Sequence, residues 1–253
     1  MELGLKDRVV LITGAGGGVG PTLAHAFAAE GAAVALHVRD RARGERAHDA
    51  EATIRDAGGR ASVVGADLRS TDAIAAMLSA IGTDLGPVAV VVNATSAYRS
   101  EALTEINDES WDAMIGDMLS ATFRVVRAVV PAMRDAGWGR IVSISATSAL
   151  EGAGRASHYS AAKAGIIGLT ASLAKELGPD GILVNAVAPT QIVTFRDGEP
   201  SIPDERAQKI AKSIPLRRLA TADDLANLVV WLASGANTYV NGETIGLTGG
   251  AKS

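Results

Sequence analysis

The sequence predicts an α/β fold with a parallel sheet covered by helices on both faces. Three observations carry that reading. Short apolar runs alternate with longer segments of helical length. Most of the runs are apolar at almost every position, as strands buried on both faces are. The first run passes into a glycine-rich turn and then into a helical segment, the order found where open α/β sheets bind nucleotides.

The runs are Arg8–Thr13, Ala33–Val38, Ala61–Ala66, Val88–Asn93, Arg140–Ser145, Ile182–Ala188 and Glu243–Leu247. Between them, Pro21–Glu30, Asp40–Ala57 and Thr71–Ile81 have helical length. Trp111–Met133 reads as one long helix, with a stripe at Trp111, Ile115, Met118, Thr122, Val125, Val129 and Met133. Strand-to-helix alternation of this kind implies right-handed crossovers and a parallel sheet. The longest irregular stretch is Thr190–Pro203. A long polar loop late in such a fold is a candidate substrate lid, here assigned to 190–215, or else a plain surface loop.

The 253 residues show no interdomain linker, repeat or low-complexity tract, so 1–253 is read as one domain. Hydrophobic residues make up 47%, enough for a sizeable core, but aromatics only 4%, so Ala, Val, Leu and Ile must fill it. The formal charge of −4, from 24 basic and 28 acidic residues, gives no reason to expect nucleic acid or an anionic membrane as partner. The chain has no cysteine, which excludes disulfides, thiolate catalysis and cysteine-ligated metal; no metal site is expected. The start, MELGLKDRVVLITG, lacks the basic region and apolar run of a signal peptide. No apolar run approaches the roughly eighteen residues of a membrane span. A cytoplasmic protein is the expectation.

The glycine turn is TGAGGGVG, Thr13 to Gly20. Glycines let the backbone approach a pyrophosphate, and the following helix offers free N–H groups and a positive dipole end. The spacing G-x-x-x-G-x-G fits at Gly14, Gly18 and Gly20, with Gly16, Gly17 and Val19 between them. The commoner G-x-G-x-x-G does not fit, because Val19 holds its last glycine position. Pro21 suits a first helical turn. At the end of the second run Arg39 is the candidate partner for a ribose 2′-phosphate, which favours NADP(H). Asp40 beside it leaves NAD(H) open. Asp67, with Leu68 next to it, ends the third run and is placed to accept from an adenine amino group. Asn93 and Ala94 end the fourth, at the carboxyl edge where ligands of parallel sheets bind.

Tyr159 and Lys163 are four apart, one helical turn, and so share a face. A free tyrosine titrates near pH 10. A lysine cation one turn away favours the phenolate and is expected to lower that value. Such a phenol can protonate a carbonyl oxygen, or act as base in reverse. The spacing alone also describes ordinary helix neighbours. Its position after the fifth run, in a chain that opens with a nucleotide loop, gives it weight.

Together these residues resemble the short-chain dehydrogenase/reductase family over nearly the whole chain. The likeness rests on the loop Thr13–Gly20, Asp67, Asn93-Ala94, the YSAAK of Tyr159–Lys163 and the NAVAP of Asn185–Pro189 with Ile192 and Thr194 beyond. It continues through PLRRLATADDLANLVVWLAS and the closing NGETIGLTGG. The resemblance implies a doubly wound Rossmann fold with a seven-stranded parallel sheet, a nicotinamide cofactor and a homo-oligomer, tetramer or dimer. It implies Tyr159 as acid/base and Lys163 on the nicotinamide ribose. Ile192 and Thr194 would hold the carboxamide, with Pro189 and Tyr159 itself among the cofactor contacts.

The chain departs from the family where the chemistry is done. A serine that usually stands thirteen residues before the tyrosine is replaced by Ala146, and an asparagine seven residues after the tryptophan by Met118. Losing one preorganised donor to a developing oxyanion costs about 10²–10³ in rate. Thr147 or Ser148 are the preferred substitutes; Ser145 should point away from a site that position 146 faces. An easily reduced substrate would also tolerate the loss. Three functions stay open. The first is NAD(P)H-dependent reduction of the ketone of a small organic substrate. The second is a dehydration, isomerisation or aldol-type step with Tyr159 as base. The third is a nucleotide-binding sensor or assembly partner without turnover.

Overall fold

The computed structural model describes residues 2–196 and 199–251. The chain runs β1 (Val9–Thr13), α1 (Gly20–Ala29), β2 (Ala33–Val38), α2 (Glu45–Asp56), β3 (Arg60–Gly65), α3 (Thr71–Asp84) and β4 (Val88–Asn93). It continues with α4 (Asp108–Ile115), α5 (Ala121–Asp135), β5 (Gly139–Ile144), α6 (Ser148–Glu151), α7 (Ser157–Leu177) and β6 (Ile182–Pro189). The last part holds β7 (Ile192–Val193), β8 (Phe195–Arg196), β9 (Glu199–Pro200), α8 (Asp204–Ala211), β10 (Ala220–Thr221), α9 (Ala222–Leu232) and β11 (Thr244–Leu247).

Seven strands form one sheet in the order β11-β6-β5-β4-β1-β2-β3, every pair parallel. The chain starts in the middle and winds outward both ways, so the order reverses between β1 and β4. The crevice beyond the carboxyl ends of those two strands is where an open parallel sheet takes its ligand.

Both faces are covered. Val10, Ile12, Val34, Leu36, Val90 and Val92 point to one side, where they meet Leu23 and Phe27 of α1, Ala47 and Ile54 of α2, and Leu225 and Val229 of α9. Val9, Leu11, Ala33, Ala35, Val91 and Ile141 point to the other, against Ile74 and Met77 of α3 and Val125 and Val129 of α5. This two-sided burial is why the runs are apolar throughout instead of alternating.

Three expectations need correction. The segment Asp40–Ala57 is not helical from its start. Asp40 accepts from the N–H of Ala42 and caps a short 3₁₀ turn at Arg41–Arg43, and α2 begins only at Glu45. Trp111–Met133 is not one regular helix either. A π-helical turn, Gly116–Ser120, separates α4 from α5. A π turn inserts a residue into the helical count and rotates the apolar face. Met118, Val125, Val129 and Met133 stay buried, but before the turn the buried position is Met114 instead of Ile115, and Trp111 is 42% exposed.

The stretch Thr190–Pro203 is not wholly irregular. Ile192–Val193 pairs in parallel with Ala220–Thr221, and Phe195–Arg196 pairs antiparallel with Glu199–Pro200. Within the assigned lid, Asp197 lies outside the described residues. Among the described residues no helix is long and apolar enough to cross a membrane.

Candidate active site

The glycine turn links β1 to α1. Gly14 has φ +69°, and a Cβ there would stand 3.0 Å from the Cα of Thr95. Gly20 is tighter: its Cβ would lie 2.1 Å from the carbonyl oxygen of Ala15. Only glycine closes this turn. Val19 precedes α1 without a side-chain cap, so the first amides of the helix face the turn unclaimed by a local side chain. The turn is braced from the side. Gly14 N–H donates to Nδ1 of the buried His37 at 3.2 Å, and His37 Nε2 lies 3.0 Å from the carbonyl of Ala66. Such a bridge needs a neutral ring with its proton on Nε2. Burial, the main influence, lowers the His37 pKa and keeps the ring neutral.

Beyond the turn lies a cleft of ≈ 850 Å³. Gly14, Gly16, Gly17, Gly18 and Val19 form one wall, and Arg39, Asp67, Leu68, Ala94 and Thr194 also line it. Thr194 abuts the turn so closely that a Cβ on Gly18 would meet its Oγ1 at 2.6 Å. This cradle of side-chain-free backbone at a helix N-terminus suits the pyrophosphate of a dinucleotide. Thr13, Gly20, Asn93, Pro189 and Ile192 are not among the residues that line the cleft. Thr13 Oγ1 accepts from the N–H of Ala94 at 3.3 Å. Asn93 donates through Nδ2 to Ser143 Oγ at 3.2 Å, and its Oδ1 is buried without a protein partner.

Tyr159 and Lys163 come from α7. Gly165 on the same helix lets Leu119 of the π turn approach where a Cβ would stand only 2.5 Å from Leu119 Cδ2. Lys163 is 1% exposed. Its Nζ donates to the carbonyls of Ile144 at 2.7 Å and Thr95 at 3.3 Å. Thr95 and the neighbouring Ser96 line the cleft, which ties the pair to the nucleotide cradle. Burial, with no carboxylate to offset it, pushes the Lys163 pKa down to about 8.

The tyrosine departs from expectation. Its pKa is raised, chiefly by burial, while a hydrogen bond with Ser96 works the other way. The lysine Nζ sits 5.9 Å from the ring centroid and spends its protons on backbone carbonyls. Tyr98 packs edge-on against Tyr159, ring centroids 5.2 Å apart.

Ala146 is buried, 9% exposed. Ser145 Oγ donates to the carbonyl of Lys163 at 2.9 Å. Thr147 is half-buried, and Ser148 Oγ is buried with no protein partner. Met118 is fully buried with Met114 and Ala162, and Tyr159 packs against that cluster. Arg39, 66% exposed at its side chain, pairs with Asp117 at 2.9 Å, and Arg69 Nε lies 2.7 Å from the same carboxylate oxygen. Burial opposes ionisation of Asp117, but the hydrogen bonds from Arg69 and Arg39 outweigh it and hold the carboxyl below its ordinary value.

Sequence reasoning missed His37, Ser96, Tyr98 and Asp117. His37 sits in an apolar strand run and reads as filler. Ser96 and Tyr98 follow Asn93-Ala94 but carry no motif. Asp117 directly precedes Met118, and only the folded chain brings it to the end of β2.

A doubly wound sheet with a glycine cradle at its switch point defines an α/β dinucleotide-binding enzyme. The family model described as "Enoyl-(Acyl carrier protein) reductase" matches residues 14–252. The 3-oxoacyl-[acyl-carrier-protein] reductase of Escherichia coli is 35% identical over 250 residues, covering 98% of each chain. Nodulation protein G of Azospirillum brasilense is 35% identical over 246 residues, covering 97% of this chain and 98% of its own. The structure of L-sorbose reductase from Gluconobacter frateurii, complexed with NADPH and L-sorbose, superposes with a TM-score of 0.90 at 28% identity, covering 99% of this chain and 98% of that one. The chain belongs to the short-chain dehydrogenase/reductase family, and it is an oxidoreductase that uses a nicotinamide cofactor.

Proposed function

We propose that this protein reduces the ketone of a small organic substrate with NADPH. One observation carries the reading: the Tyr159–Lys163 helix is hydrogen-bonded, through Lys163 Nζ and the Thr95 carbonyl, to the wall of the nucleotide cleft. The relatives support it, since they include a 3-oxoacyl reductase and a sorbose reductase complexed with NADPH.

The bound cofactor supplies the hydride that reaches the carbonyl carbon. The chain supplies the rest. The backbone of Gly14 to Gly18 holds the pyrophosphate, and Asp67 accepts from the adenine. Arg39 would bind the 2′-phosphate, and Thr194, with Ile192 two residues before it, would hold the carboxamide. Tyr159 gives its phenolic proton to the substrate oxygen as charge develops there. Lys163 keeps its ammonium beneath the ring, where it favours the phenolate left behind. Ser96, which lines the cleft and acts on the phenol's pKa, supplies the donor that position 146 no longer carries. Burial raises the Tyr159 pKa, so the phenol holds its proton at neutral pH and releases it only to an oxygen on which charge is developing.

One observation favours a second reading, a non-redox step with Tyr159 as base: Ala146 leaves the usual donor position apolar. A single experiment separates the two. Purified protein is incubated with NADPH and a panel of β-keto esters, sugars and aromatic ketones. Alcohol formed in equal amount to cofactor oxidised supports the reductase. Product without net oxidation supports the second reading. Turnover equal with NADH and NADPH would refute the selection by Arg39.

A further inference from the structure

Arg39 follows β2, while Asp117 lies in the π turn of the helical segment that follows β4. In the sheet β1 separates those two strands. Both residues line the cleft. Their ion pair therefore crosses the cleft from one side of the switch point to the other. A single oxygen, Asp117 Oδ1, receives both Arg39 Nη2 at 2.9 Å and Arg69 Nε at 2.7 Å. Two guanidiniums converge on one anionic oxygen, the arrangement a phosphate oxygen would otherwise take.

We propose that Asp117 is the resting counter-ion of Arg39 and competes with the cofactor's 2′-phosphate for it, so that Asp117 sets the margin by which the site prefers NADPH to NADH. The proposal rests on the reading of Arg39 as the 2′-phosphate partner. A phosphate monoester carries about −1.5 to −2 charges at neutral pH against one on the carboxylate, and it offers more acceptor oxygens. It draws the guanidinium off Asp117, but each NADPH that binds must first break the pair. NADH has no group to put in its place and leaves Arg39 where it is. The cost falls on the phosphorylated cofactor alone. When NADP leaves, Asp117 takes the arginine back, which eases release. Asp117 is thus a positioning residue for specificity and touches no reacting atom.

The test measures dissociation constants of NADPH and NADH by fluorescence titration for the full chain and for Asp117→Asn, Arg39→Ala and the double variant. Asp117→Ser serves as a second replacement should the amide form a new bond to Arg39. The Arg39 end of the pair is solvent-exposed, which keeps the pair weak, so Asp117→Asn should raise the NADPH preference by about two- to five-fold. The same substitution should leave the preference unchanged when Arg39 is already alanine. Arg39→Ala alone should abolish most of the preference. If Arg39→Ala lowers the preference but both Asp117 replacements leave it unchanged or reduce it, the role of Asp117 is overturned and the cofactor reading stands. If Arg39→Ala leaves the preference intact, the cofactor reading fails and takes the proposal with it.

Discussion

Lys163 lies beneath Tyr159 with its ammonium 5.9 Å from the ring centroid, and it is anchored to the carbonyls of Ile144 and Thr95, not to the phenol. Its protons go to those two carbonyls, and burial, not the cation, dominates the tyrosine's pKa. The lysine also links the end of β5 to the loop after β4, which joins the chemical pair to the cleft wall.

Tyr159→Phe removes the proton donor and little else, since the ring still packs on Met114, Met118 and Tyr98. We expect kcat/KM for ketone reduction to fall by about 10²–10⁴. The dissociation constant for NADPH should change by less than about threefold, because the phenol is not among the groups lining the cleft. Steady-state kinetics with fluorescence titration checks both; unimpaired turnover would remove Tyr159 from the mechanism.

Ser96→Ala tests whether the hydroxyl on the phenol does the work of the absent one. It should lower kcat by about 10- to 1,000-fold with little change in cofactor affinity. Ala146→Ser, made on top of it, should restore much of the loss. An inert Ser96→Ala would turn attention to Ser148, whose buried Oγ has no protein partner.

Lys163 gives a pH signature in stability. Its pKa is near 8 in the folded chain, against an ordinary value of 10.5. The unfolded chain then binds the proton more tightly, so the charged lysine opposes folding below about pH 8. That opposition is lost as pH rises from 8 to 10.5. Lys163→Met has no such term. Denaturant unfolding at a series of pH values should show the parent gaining on the variant across that window by roughly 2–4 kcal/mol. A difference flat with pH would contradict the burial argument.

Gly20→Ala should destroy the cradle by backbone collision, since the new methyl carbon would meet Ala15 atoms at 2.1 to 2.5 Å. Overpacking typically costs about 1–3 kcal/mol, and main chain yields less readily than side chains do. A thermal melt should show the loss, and NADPH should no longer raise the melting temperature. Gly58→Ala is the control: its φ of +83° strains any side chain, but nothing lies within 4 Å of the new carbon. It should be destabilised less and should still respond to NADPH.

Much of the fold was legible because burial on both faces writes itself into composition. The runs Ala33–Val38 and Val88–Asn93 coincide with β2 and β4, and Arg8–Thr13 and Glu243–Leu247 each overrun by one residue at the start. The break at Gly116–Ser120 was hidden, because a single inserted residue leaves a stripe of similar spacing on either side. In the site, the glycine cradle was readable, since close approach demands a particular residue type. His37, Ser96 and Asp117 were not. Each acts through a partner far along the chain, Gly14 and Ala66, Tyr159, and Arg39, and any of several polar residues would serve equally well in the sequence. The direction of the tyrosine's pKa was misjudged for a related reason: helical spacing gives neighbourhood but not the depth at which the neighbours lie.

The ribbon of Ile192–Val193 against Ala220–Thr221 fastens together the two stems of everything from 194 to 219. The ribbon is a sheet of its own, apart from the seven strands, and it closes the intervening span at its base. Its residues can be exchanged or lengthened at little entropic expense, since the ends are already held together. Lengthening the span beyond Thr194 should therefore leave the strands beneath it undisturbed.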